Sequence, residues 1–74
     1  MKQLYTIIKE NLRDDEDIFI LRQDELKEAN GIMHKLDFKD DVFGIRNNIW
    51  ANGYKGTERV IRYWHEDGLC IILK

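Results

Sequence analysis

The pair Asp67-Gly68, set between the run Val60 to Trp64 and the run Leu69 to Leu73, limits what this chain can fold into more than any other feature. Asp-Gly accepts the left-handed backbone that a tight antiparallel reversal needs. The residues before it alternate as a strand does, with Ile61 and Tyr63 on one side and Val60, Arg62 and Trp64 on the other. This pattern predicts a β-hairpin over Glu58 to Lys74. Segregation of apolar residues then selects the loop length. A three-residue loop of Glu66, Asp67 and Gly68, with Gly68 left-handed, gathers Ile61, Tyr63, Leu69, Ile71 and Leu73 on one face, whereas a two-residue loop mixes the faces.

Upstream, Met1, Leu4, Tyr5, Ile8 and Leu12 recur at helical spacing with Lys2, Gln3, Lys9 and Glu10 opposite, which predicts a first helix over Met1 to Leu12. Asp14 to Asp17 is an acidic run that cannot extend that apolar stripe and reads as a solvated connector. It lacks the glycine and the distal glutamate of a calcium loop. Ile18 to Leu21 is strand-like and able to pair with the hairpin. Gln23 to Ala29 reads as a second, short helix closed by Asn30-Gly31, and Ile32 to Lys39 as irregular chain. Asp40 or Asp41 can cap a third helix that runs to about Tyr54, with Asn52-Gly53 and Gly56 marking its end. Around its axis Val42, Phe43, Ile45, Ile49, Trp50 and Tyr54 share a broad apolar arc. Gly44, Asn47, Asn48, Ala51 and Lys55 lie opposite.

A chain of 74 residues, 43% of them hydrophobic, can bury one modest core, so a single domain over 1–74 is expected. One cysteine, Cys70, excludes an intramolecular disulfide, and the N-terminus does not follow the pattern of a secretory leader; a cytoplasmic protein is the expectation. The longest apolar run, Leu69 to Leu73, is strand-sized, and no membrane partner is expected. The net charge of -2 is unevenly spread. Residues 1–41 carry seven Lys/Arg against eleven Asp/Glu, a balance of -4, and residues 42–74 carry five against three, a balance of +2. The basic half holds the third helix and the hairpin, an asymmetry that suits a cationic face turned to a polyanion.

Candidate functional residues concentrate there. On a helix lying in a DNA major groove, small residues such as Gly44 and Ala51 permit close approach, Asn47 and Asn48 offer paired donor and acceptor atoms to adenine, and Lys55 meets a phosphate. Arg46, nearer the apolar arc, either snorkels outward or serves packing. Arg59 and Arg62 lie on the first hairpin strand, within reach of phosphates. Each of these has a plainer role available, as a solvated helix face or as charges protecting a sheet edge. His34, His65 and Cys70 follow no zinc-ligand spacing, and no phosphate loop, nucleophile elbow or metalloprotease motif is present. No metal, cofactor or catalytic activity is expected. Trp50, Tyr54, Tyr63 and Trp64 are candidates for a protein-partner surface, aromatics being enriched in interfaces.

Helix, short strand, helix, helix and hairpin in that order resembles the winged helix-turn-helix DNA-binding superfamily. The resemblance implies an α+β fold of three helices with a C-terminal β-hairpin and a short first strand. It implies a small DNA-binding regulator with Asn47, Asn48 and Lys55 at recognition-helix positions and Arg59 and Arg62 on the wing; Arg46 is counted with them among the nucleic-acid contacts, and a homodimer is expected because one domain of this size offers a limited footprint. The alternative, since winged helices also serve as interaction modules, is a non-enzymatic protein-binding module or inhibitor using Trp50, Tyr63 and Trp64.

Overall fold

The structure is a computed structural model describing residues 1–26, 32–39 and 44–74. In chain order the elements are α1 (Leu4–Asn11), β1 (Ile18–Arg22), a 3-10 turn (Gln23–Leu26), β2 (His34–Lys35), α2 (Ile45–Ala51), β3 (Val60–His65) and β4 (Leu69–Leu73). The strands form one mixed sheet in the order β2-β1-β4-β3.

β4 explains this arrangement. All five residues of Leu-Cys-Ile-Ile-Leu are buried, and a strand covered on both faces belongs in the middle of a sheet rather than at its margin. β3 occupies one side of it, antiparallel. β1 fills the other side in parallel, in a register running from Ile18 opposite Leu69 to Arg22 opposite Leu73. A parallel neighbour cannot be reached by a tight turn. The chain between β1 and β4 therefore folds back through β2, α2 and β3.

One face of the sheet carries the core. Ile18, Ile20, Leu69, Ile71, Leu73 and Val60 pack there with Leu4, Ile7 and Ile8 of α1 and Ile49 of α2. α1 is set on the sheet by its own unsatisfied first turn: the Leu4 N–H donates to the Glu58 carbonyl at 2.7 Å and the Tyr5 N–H to the Gly56 carbonyl at 2.9 Å.

These observations correct the expected winged helix-turn-helix fold. Among the described residues there are two α-helices and a four-stranded mixed sheet, not three helices followed by a hairpin. Gln23 to Ala29 does not begin as an α-helix, because its first four residues make only a 3-10 turn with no buried side chain, and a helix without an apolar face to bury gains little from forming. The segment expected to be irregular contributes β2, which pairs antiparallel with β1. The expected Asn30-Gly31 cap, the Asp40 or Asp41 cap and the start of the third helix at Val42 and Phe43 lie outside the described residues. The described helix begins at Ile45.

The hairpin has its three-residue loop, with His65 opposite Leu69 and Gly68 at φ 141. Its apolar face departs from the expected set at Ile61, and Tyr63, though opposite Ile71, stays 42% exposed. Val60 pairs with Leu73 and Arg62 with Ile72, so Ile61 is the extra residue of a β-bulge. Val60 takes the buried position, and Ile61 is left 42% exposed. Among the described residues no helix is long and apolar enough to cross a membrane.

Candidate functional site

α2 ends as a Schellman motif. Gly53, at φ 88, donates its N–H to the Trp50 carbonyl at 2.9 Å, and the Tyr54 N–H reaches the Ile49 carbonyl at 3.1 Å. The helix is two turns long and divides sharply by face. Ile49 and Asn48 are buried against the rest of the protein, while Arg46, Asn47, Trp50 and Ala51 are exposed.

The inner face uses asparagines in place of a strand. The Lys39 N–H donates to Asn48 Oδ1 at 2.7 Å, and Asn48 Nδ2 donates to the Lys39 carbonyl at 3.3 Å and to the Gly44 carbonyl at 3.1 Å. One turn on, Asn52 repeats the pattern with Asp37, accepting its N–H at 2.9 Å and donating to its carbonyl at 3.0 Å. Each carboxamide mimics a peptide group, so the two residues bind alternate positions of the extended chain 37–39 as a neighbouring strand does. Asn48, expected to read bases, is 1% exposed and holds this segment in place.

On the outer face, the Arg46 guanidinium stacks on the Tyr5 ring of α1 at 3.8 Å from its centroid, and Lys9 approaches the same ring at 5.8 Å. Gly56 makes this possible. A Cβ there would stand 3.3 Å from Arg46 Nη1 and 3.3 Å from Tyr5 Cβ. Four residues beyond Arg46, on the same stripe of the helix, Trp50 is 76% exposed. Among the described residues neither Arg46 nor Lys9 has a carboxylate within ion-pair distance. The face combines an exposed indole, a tyrosine and two uncompensated cations.

The remaining sequence candidates lie on α2, in the loop after it and along the chain that enters and forms β3. Asn47 is exposed on α2. The Lys55 N–H donates to Glu58 Oε2 at 2.9 Å. Arg59 reaches the Met1 carbonyl at 3.2 Å, and Arg62 lies over the Trp64 ring at 5.0 Å. Tyr63 is 42% exposed on β3. Six residues proposed to form one nucleic-acid surface therefore belong to α2, the loop after it and the edge strand, with Asn48 turned inward. Comparison with protein-family models, curated proteins and solved structures returns no match.

A second feature is an open cleft of about 520 Å³ lined by Arg22, Glu25, His34, Lys35 and Tyr54 among others. Its charges are internally matched. Arg22 forms a two-pronged ion pair with Glu58 and lies 5.1 Å from the Tyr54 ring centroid, His34 Nε2 is 2.8 Å from Glu25 Oε2, and Lys35 is 3.6 Å from Asp17. Burial alone would raise the Glu58 carboxyl, but the Arg22 guanidinium and the Lys55 N–H outweigh it and hold it below the ordinary range. The His34 hydrogen bond, followed by the Arg22 N–H, lowers Glu25. Burial, aided by the Glu25 charge, raises the Tyr54 phenol. With each cation already neutralised, the cleft offers an incoming anion little attraction.

The acidic connector is more than solvated chain. Glu16 accepts from His65 Nδ1 at 2.8 Å, with only 10% of its side chain exposed, and accepts the Arg13 N–H at 3.0 Å. Nothing local in the sequence marks this pairing of the connector with the end of β3.

Proposed function

We propose that this chain is a protein-docking module that engages its partner through the outer face of α2, with Trp50 as the anchor. The observation that carries this reading is the exposure of Trp50 on the same stripe as Arg46, whose guanidinium is held by stacking on Tyr5. Exposing an indole costs the free protein the transfer energy that burial would recover. Trp, Tyr and Arg are also the side chains that dominate binding energy at protein interfaces. Stacking orders Arg46 beforehand, so less side-chain entropy is lost when a partner arrives. The two unmatched cations select for carboxylates around the apolar pocket that receives the indole.

A DNA-binding role draws less support, because Asn48, one of the two asparagines expected to read bases, is 1% exposed and spends its amide on the backbone of Lys39.

Selection from a displayed library of random peptides tests the proposal. Enriched peptides should combine apolar residues with Asp or Glu, bind more weakly as salt rises, and lose about thirtyfold in affinity to Trp50→Ala, the equivalent of about 2 kcal/mol. Trp50→Phe should retain part of the affinity. Enriched peptides that bind Trp50→Ala as well as the parent, or retention on duplex DNA with no peptide enriched, would overturn it.

A further inference from the structure

β3 is an edge strand, with β4 on one side and only its beginning engaged on the other, where the Val60 N–H donates to the Lys2 carbonyl at 2.9 Å and Gln3 bridges Arg59. From Ile61 to His65 the outer side has no strand beside it among the described residues. Edges of this kind are usually shielded by lysine, proline or a covering loop. Here the strand carries Ile61 and Tyr63, each 42% exposed, and the half-buried Trp64. An open, apolar edge pairs readily with another chain.

We propose that two copies of this chain associate antiparallel through β3, about a two-fold axis perpendicular to the sheet, to form one continuous sheet. Such an axis keeps each side chain on its own face, so directly opposed residues must share a face and the axis must pass between one residue and its own copy. Centring on Tyr63 sets Arg62 against Trp64 and Val60 against Glu66, but the outward N–H of Val60 is already taken by Lys2. Centring on Trp64 avoids Val60 and runs from Arg62 to Glu66, the first residue of the loop. It sets Trp64 against its own copy, Tyr63 against His65, and Arg62 against Glu66 of the second copy, the last pair occurring twice. Continuing the alternation of Arg62 and Trp64 one step past His65 sets Glu66 on their face. The Cys70 thiol, on the same side as Trp64, donates to the Glu66 carbonyl at 3.6 Å, and after burial it is the Glu66 charge that most raises that thiol. Charge complementarity therefore selects this register, and the cationic Arg62 that would deter an unrelated strand attracts a second copy.

Sedimentation of the full chain from micromolar to millimolar concentration should give a monomer–dimer equilibrium. Arg62→Glu and Glu66→Arg, each replacing two attractive cross-strand pairs with two repulsive ones, should each weaken it about tenfold. An equimolar mixture of the two variants restores both pairs in a heterodimer and should associate more tightly than either variant alone. The double variant R62E/E66R should return to within about threefold of the parent, with far-UV circular dichroism unchanged throughout. A parent that stays monomeric at millimolar concentration overturns the proposal. So do single variants that dimerise like the parent, and a mixture that fails to recover association. None of these outcomes bears on Trp50, which lies on a different element.

Discussion

Asn48 and Lys39 are joined as a peptide pair: the carboxamide of one both accepts from and donates to the backbone of the other, at 2.7 and 3.3 Å. Removing a buried amide leaves a backbone donor and acceptor without partners, at about 1–3 kcal/mol. Asn48→Ala should therefore lower stability by about 2 kcal/mol or more in urea unfolding. Asn47→Ala, one residue away and exposed, should change it by less than about 0.5 kcal/mol. Equal effects would show that the amide pairing contributes nothing.

Gly53 and Gly68 both have positive φ, but their surroundings differ. A Cβ at Gly53 meets nothing within 4 Å, whereas one at Gly68 would stand 2.7 Å from the Asp17 carbonyl oxygen and 2.8 Å from Phe19 Cε2. Gly53→Ala should cost only the left-handed backbone penalty of about 1 kcal/mol. Gly68→Ala adds a clash with backbone that also accepts the Leu69 N–H, and should cost at least about 1 kcal/mol more than Gly53→Ala. Matching melting temperatures for the two variants would refute the close approach of the hairpin loop to Asp17.

Ile49 and Trp50 are neighbours with opposite exposures, fully buried and 76% exposed. Ile49→Ala should destabilise by about 2–5 kcal/mol through the cavity it leaves in the core. Trp50→Ala should leave the unfolding midpoint within about 0.5 kcal/mol of the parent, as expected for a side chain kept for a partner. A large loss on Trp50→Ala would mean that the indole packs internally.

Glu58, Glu16 and Glu25 all titrate below the ordinary value of 4.5. For Glu16, as for Glu58, burial pulls upward and is outweighed, here by the hydrogen bonds from His65 and the Arg13 N–H. A carboxyl lowered by folding adds stability that is complete above its unfolded value and vanishes as pH falls through its folded value. Stability should accordingly be level above about pH 5 and decline steadily below it. Glu58→Gln should lower the plateau and make the decline shallower. An unfolding midpoint unchanged down to about pH 3 would rule out these pairs as contributors.

What the sequence determined by itself is local. The Asp67-Gly68 reversal, the Asn52-Gly53 helix end and part of the apolar stripe of α1 are each written within a few residues, because turn geometry, helix capping and helical periodicity depend on near neighbours; the stripe expected from the spacing counted Met1, which is 66% exposed, and passed over Ile7, which is 1% exposed. A strand at Ile18 to Leu21, one residue short of the observed Ile18–Arg22, was legible for the same reason, as was its capacity to pair with the hairpin. Which side of the hairpin it joins, and in which direction, was not. Alternation reports that a strand has a buried face but not who covers it, and the parallel pairing of Ile18 with Leu69 joins residues far apart in the chain. Asn48 and Trp50 make the same point at the site. On a helical wheel Asn48 belongs to the polar arc and Trp50 to the apolar one, yet tertiary structure buries the first and exposes the second. A carboxamide can be buried at little cost where extended backbone, here Lys39, satisfies both its donor and its acceptor, and whether such backbone lies alongside is decided only when the distant segments have packed.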